Sequence, residues 1–370
     1  MISVYEPAIG KEEIKFVLNA VKSGELSGTF GKYIENFEKE FANYSGCKYG
    51  VAVSSGTTAL HLAVSAAGIK KGDEVLLSSS TNIATALSIV HNGGVPVPVD
   101  CEEETWNLDV SLLESLITKK TKAIIPVHLF GHPVDMIALM KIAKKHKLKV
   151  IEDCAESHGA SYKKKMTGSF GDMGCFSFYA NKIITTGEGG MVVTNNKALY
   201  KKLKLLRNLA FEQPRFKHNY LGFNFRMTGY QAAMGLAQTR KLDKIIKNKR
   251  RVANSYNKHL SNIEGLQLPV ENKHYKNVYW VYAVNLKSSF GINRDELMRK
   301  LKNEGIETRT FFCSMSDQPC LKKIKGFRKI KTPIASKIWK TGLYLPSSHT
   351  LSDKTIEFIS KKLKKIKKNI

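Results

Sequence analysis

GDMGCFSFYANKIITTGEGGMVVTN, residues 171–195, decides how this chain is read. Two runs in it, Cys175 to Phe178 and Gly190 to Val193, carry the aromatic and β-branched residues of strands. Between them stands Lys182, the only basic residue between Lys165 and Lys197 in a chain otherwise dense in lysine. Aromatic and β-branched neighbours disfavour the charged form of a lysine, which lowers its pKa and frees a neutral amine to attack a carbonyl. Gly187, Gly189 and Gly190 allow a tight turn and a close backbone approach to a ligand. On its own, such a lysine is also consistent with a side chain snorkelling from a strand end into water.

Working outward, the same alternation of short β-branched runs and helix-like segments extends from about Val51 to Val193, the pattern of a sheet wound with helices on both faces. Strands are expected at Gly50 to Val53, Glu74 to Leu77, Val95 to Val99, Ala123 to Val127 and Lys149 to Ile151, besides the two above. Helices are expected at Lys11 to Ser23, Lys32 to Tyr44, Thr57 to Ala67 and Asp135 to His146. A long helix-forming stretch, Gln231 to Leu260, leads to a second part. There VYWVYAVNL reads as a strand, RDELMRKLKNEG as a helix closed by Gly305, and the segment after LSDKT as a last helix. The expected division is a large α/β domain, residues 1–250, with a mostly parallel seven-stranded sheet, and a smaller α+β domain, residues 251–370.

Two further segments carry chemistry. In SSGTTALHLAV, residues 54–64, a strand passes through a small polar turn into an alanine-rich helix, which offers backbone N–H groups at a helix N-terminus to an anion. Ser and Thr also cap helices for purely structural reasons. In VIEDCAESHG, residues 150–159, Asp153 falls just past an apolar strand, at the edge where open α/β sheets bind ligands. A carboxylate there can pair with a protonated ring nitrogen, or simply cap the next helix; neighbouring Glu152 points to the other side of the strand.

Composition narrows the classes. At 370 residues and 42% hydrophobic content, the chain has the material for a large core. No run approaches the roughly 20 apolar residues that span a bilayer, and MISVYEPAIGKEE does not have the build of a signal peptide, so a cytoplasmic protein is expected. Six scattered cysteines without a C-x-x-C pair read as reduced thiols. The net charge of +27 invites a nucleic-acid reading, yet the lysines form no stripe interleaved with aromatics. Across the final run ISKKLKKIKKNI, residues 359–370, Ile359, Leu363, Ile366 and Ile370 keep helical spacing, which describes a packed helix with a basic solvated face. His128 and His132 flank a loop and are read as structural, with no metal site expected.

Taken together, SGTTALHL, EDCAESHG, FSFYANKIITTGEGGMVVTN and GFNFRMTGYQAAMGLAQ resemble the successive motifs of the DegT/StrS-type sugar aminotransferases, over a span from VYEPAIG to YLPSS. The resemblance implies an aspartate-aminotransferase-like fold (fold type I), pyridoxal 5'-phosphate as cofactor, and a homodimer with shared active sites. It makes Lys182 the lysine that carries the cofactor and acts as general base, and Asp153 the partner of the pyridine nitrogen. Gly56, Thr57 and Ser177 would hold the cofactor phosphate, Asn224 would reach it from the neighbouring subunit, and Glu156 would lie near the ring hydroxyl. Asn82 occupies the place where the family usually stacks an aromatic residue on the cofactor, so another group must cover that face or the sugar pocket differs in shape. The implied reaction takes an amino group from L-glutamate, releasing 2-oxoglutarate, and gives it to a nucleotide-linked 4-keto-6-deoxy sugar for surface polysaccharide or aminosugar synthesis. Lysine at 182 favours transamination, since a related sugar 3-dehydratase has histidine at that place. A different keto-sugar or sugar carbon, and a non-catalytic regulator that keeps the fold, remain as alternatives. Tyr5, Phe311, Phe312 and Tyr344 are candidate pocket walls.

Overall fold

Five-residue apolar runs too short for helices pair into a seven-stranded sheet in the computed structural model, which describes residues 1–370. Its order is Tyr49–Val53, Gly190–Thr194, Met173–Ser177, Lys149–Asp153, Thr121–Ile125, Glu74–Ser78 and Val95–Val99. Only Gly190–Thr194 runs against the others. Period-two alternation sends Val75 and Leu77 into one core layer, beneath the helix Gly56–Ala66, and Leu76 into the opposite layer, against Met136–Lys145. Both faces are covered, which is why Glu74–Ser78 and Val95–Val99 are buried at every position. The helix Lys32–Tyr44 adds Phe37 and Phe41, which pack on Phe178 with ring centroids 5.1 and 5.0 Å apart.

All seven expected strands are present, two of them displaced towards the N-terminus: the run expected at Cys175 to Phe178 is Met173–Ser177, with Phe178 just past its end. The fourth runs Thr121–Ile125 instead of Ala123 to Val127, because Pro126 has no N–H to give the ladder; Val127 makes only an isolated bridge to Asp153. The stretch Gln231 to Leu260 is not one helix. Gly229–Arg240 and Leu242–Leu260 are separated at Lys241, where ψ is 0°, and the second helix runs without a break through residue 250.

A second, antiparallel sheet of four strands has the order Leu266–Gln267, Tyr282–Leu286, Gly342–Leu345, Arg309–Thr310. It packs with Leu242–Leu260, Arg294–Asn303 and Asp353–Lys368 around a core holding Tyr256 and Tyr282, stacked 4.5 Å apart. The strand expected over VYWVYAVNL is confined to Tyr282–Leu286; Tyr279 has a φ of 49°, which breaks an extended run. In the last helix Ile359, Leu363 and Ile366 are buried, but Ile370 lies beyond its end and is half exposed, so it does not belong to the packed stripe. No helix is long and apolar enough to cross a membrane. All six cysteines are free.

Two short pairings tie the parts together. Tyr275–Lys276 pairs with Ser161–Tyr162, and Ile2 bridges to Ile306, which draws the N-terminus across the second sheet.

Candidate active site

The helix Gly56–Ala66 starts where the strand Tyr49–Val53 ends, and its first N–H groups have no acceptor within the helix. Ser55 caps it by accepting from the Thr58 N–H at 3.1 Å, which leaves those of Gly56 and Thr57 at the wall of a cleft of about 460 Å³. Two close approaches shape this end. A Cβ on Gly56 would come within 2.6 Å of the Ser177 Cβ, and one on Gly190 within 2.2 Å of the Ser55 carbonyl oxygen. Only glycine lets the helix start, the strand end at Ser177 and the glycine turn converge here, and the result is a concentration of N–H and hydroxyl donors suited to a phosphate.

Asp153, at the carboxyl end of Lys149–Asp153, lies on the same cleft and is 4% exposed. Its Oδ2 accepts from the Thr85 hydroxyl at 2.8 Å and its Oδ1 from the Ala155 N–H at 3.1 Å. Burial raises its pKa against these two hydrogen bonds and the charge of Lys182. A carboxyl fixed in this way, with no cation in hydrogen-bond contact, suits a heteroaromatic N–H⁺. Glu152, next in the chain, faces away and is fully buried. It accepts from the N–H groups of Gly168, Phe170 and Gly171 at 2.7–2.8 Å and contacts His128 Nε2 at 3.1 Å. Its role is to hold the turn before Met173–Ser177. His128 thus belongs to this network, with Cys154 alongside, while His132 bonds with Asn107 and Pro133 elsewhere.

Lys182 sits in the loop between Ser177 and Gly190, its side chain only 12% exposed. Burial lowers its pKa, and the charges of Glu156 and Asp153 oppose the shift. Its Nζ lies 4.0 Å from Glu156 Oε1 and 3.9 Å from the centroid of the Trp280 ring. The loop is clamped from outside: Tyr5 donates to the Lys182 carbonyl at 2.5 Å, and the Trp280 indole N–H donates to the Asn181 carbonyl at 2.7 Å. Glu156 accepts from the Phe130 N–H at 2.7 Å, and burial pushes its pKa up to about 7, against Lys182 and that hydrogen bond.

Gly56, Thr57, Asn82, Asp153, Glu156, Ser177 and Lys182 therefore all line one cleft. Asn82 does so while capping the helix Ile83–Val90, its Oδ1 accepting from the Ala84 N–H at 3.0 Å. Asn224 does not join them. It is exposed and pairs with Asn208, away from the cleft of its own chain. Of the aromatic candidates, Phe312 and Tyr344 are walls, Tyr5 lines an adjoining pocket of about 150 Å³, and Phe311 is packed into the core beside Phe130 and Trp106. Sequence reasoning missed Trp280, Arg309 and Thr85. The first two come from the distant second part of the chain, and no local pattern marks them. The one signal for Thr85 in the sequence is its place four residues past Thr81, whose hydroxyl lies 3.1 Å from its own.

Residues 7–364 match the DegT/DnrJ/EryC1/StrS aminotransferase family. The chain is 40% identical over 359 residues to a GDP-perosamine synthase of Escherichia coli O157:H7, covering 97% of this chain and 96% of that protein. It is 43% identical over 320 residues to a GDP-perosamine synthase of Caulobacter vibrioides, covering 86% of each. Among solved structures it is similar to an aminotransferase from Psychrobacter cryohalolentis, with a TM-score of 0.92 and 31% identity, covering 99% of this chain and 98% of that one.

Proposed function

Since this chain belongs to the DegT/DnrJ/EryC1/StrS aminotransferase family, we propose that it transfers an amino group from L-glutamate to a nucleotide-linked 4-keto-6-deoxy sugar. The observation that carries this reading is one cleft holding a buried amine, a buried carboxyl without a cation, and a helix start rich in donors. Pyridoxal phosphate, the cofactor of this family, supplies an aldehyde that condenses with amines and a protonated ring that withdraws electrons from the reacting carbon.

The chain's own residues supply the rest. Gly56 and Thr57, through backbone N–H groups, and Ser177, through its hydroxyl, hold the phosphate. Asp153, buried and with its two oxygens oriented by Thr85 and Ala155, would pair with the ring nitrogen and keep it protonated. Lys182 Nζ, neutral at lower pH than a solvated lysine, would serve as the general base that takes the proton from the substrate carbon and gives it back at the other reacting carbon. Glu156, 4.0 Å from that nitrogen, would offer its carboxyl to the ring hydroxyl. Trp280, Phe312 and Tyr344 exclude water, and Arg309 is a cation at the wall for substrate anions.

A GDP-linked acceptor is favoured by the names of the two relatives above. Asn224 would complete the phosphate site of a second subunit, which makes the active unit a homodimer. We place the enzyme in the cytoplasm, where nucleotide sugars are made, acting without nucleic-acid or membrane partners and feeding surface polysaccharide synthesis. The division into a large domain to about residue 250 and a small one beyond it is part of the same reading. The test is a panel of GDP-, dTDP- and UDP-linked 4-keto and 3-keto sugars with glutamate, followed by formation of 2-oxoglutarate. Turnover of the GDP-linked 4-keto sugar above all others is expected. Preference for a 3-keto sugar or another nucleotide would replace this acceptor, and 2-oxoglutarate with none of them would remove the sugar reading.

A further inference from the structure

A second buried lysine stands outside the cleft. Lys249, in the middle of the helix Leu242–Leu260, is 1% exposed and has no carboxylate partner. Its Nζ donates to the carbonyls of Trp280 at 2.7 Å and of Ser347 at 2.5 Å, and lies 6.0 Å from the centroid of the Tyr5 ring. Burying a lysine without a counterion is costly, and an apolar residue of similar volume is generally the more stable choice. Both carbonyls belong to segments that reach the active lysine. Trp280 lays its ring over Lys182 Nζ and its indole N–H on the Asn181 carbonyl. The Ser347 N–H donates to the carbonyl of Val4, next to Tyr5, whose hydroxyl donates to the Lys182 carbonyl.

We infer that Lys249 is a positioning residue for Lys182: from behind the active site it ties the Trp280 and Ser347 backbones to one helix and so fixes where the indole face meets the reacting amine. The inference rests on the reading that Lys182 carries the cofactor. Burial brings Lys249 down to about 7, so both protonation states occur near neutrality. A neutral amine still has two N–H donors for its two carbonyls, so the tie survives loss of the proton. This separates the role from a pH switch. His349, also lowered by burial and by Lys249, stays neutral beside it.

The indole face favours positive charge on Lys182 Nζ. Displacing it should therefore lower the pH at which the visible band of the bound cofactor titrates, by about one unit if the contact is desolvated. The experiment titrates that band in holoenzyme of wild type, Lys249→Met, Trp280→Leu and the double variant, with far-ultraviolet dichroism to establish folding. Each single variant is expected to lower the midpoint, and the double variant to match Trp280→Leu alone, because Lys249 acts through Trp280. An unmoved midpoint in folded Lys249→Met, or shifts that add in the double variant, would overturn the inference. Should Lys249→Met not fold, Lys249→Gln, which keeps N–H donors, takes its place with a smaller shift. Failure of both to fold would make Lys249 a stability residue only. Borohydride labelling of Lys182 in wild type tests the underlying reading separately.

Discussion

Replacing Asp153 by asparagine should separate catalysis from folding. In the native site the Thr85 hydroxyl donates to Asp153 Oδ2 at 2.8 Å and sits 3.1 Å from the Thr81 hydroxyl. In Asp153→Asn the side-chain amide would donate where the carboxylate accepted. Thr85 can rotate its hydrogen towards Thr81 and accept, while the Ala155 N–H keeps its acceptor at Oδ1. Every local hydrogen bond survives, so stability should stay within about 1 kcal/mol of wild type. Catalysis has no such substitute. Removing one partner of a buried charge pair costs about 3–5 kcal/mol, or between about two and four powers of ten in rate. The assay is single-turnover conversion of the bound cofactor by glutamate, followed by absorbance, with denaturant unfolding of the same samples. A rate within tenfold of wild type in a variant that binds cofactor would refute the pairing of Asp153 with the ring nitrogen.

Gly190→Ala should weaken cofactor binding by about fivefold to a hundredfold, because its Cβ would meet the Ser55 carbonyl at 2.2 Å and push back the helix start, a strain of about 1–3 kcal/mol. Absorbance titration of the apoenzyme reads this directly, and unchanged affinity in folded protein would show that this turn does not shape the phosphate site. His158 is fully buried among Phe41, Phe176 and Phe178, and burial lowers it to about 3. The unfolded chain takes up its proton below about pH 6.5 while the folded chain does not, so stability is present above that pH and is lost as pH falls towards 3. Between pH 7.5 and 5 this one group should account for about 2 kcal/mol. His158→Leu should flatten the apoprotein's stability profile by that amount, and an unchanged slope would mean that His158 is protonated in the fold.

The large sheet was legible because its signals are local. Runs such as Val95 to Val99 state their own length, and the glycines after Lys182 mark the turn that follows. The shift of the fourth strand was also written in the sequence, in Pro126. Asp153, Glu156 and Lys182 could be assembled because each lies at or just past a strand end of one sheet. What could not be read depends on contacts across long sequence separations. Trp280 reaches Lys182 from nearly a hundred residues away, and nothing local distinguishes Lys249 from the other lysines of its helix; only its contacts with the Trp280 and Ser347 carbonyls do. The second sheet was obscured for a related reason: its strands are two to five residues long and adjoin positive-φ turns such as Tyr279. Asn224, exposed in its own chain, carries no pattern that distinguishes a surface residue from one aimed at a neighbouring subunit.

The measurement closest to the centre of this account is borohydride reduction of the purified holoenzyme, followed by digestion and mass mapping of the pyridoxyl group. A single modified lysine, Lys182, is expected, with Lys249 untouched. A label on any other lysine, or none on a protein shown to contain the cofactor, would contradict the account.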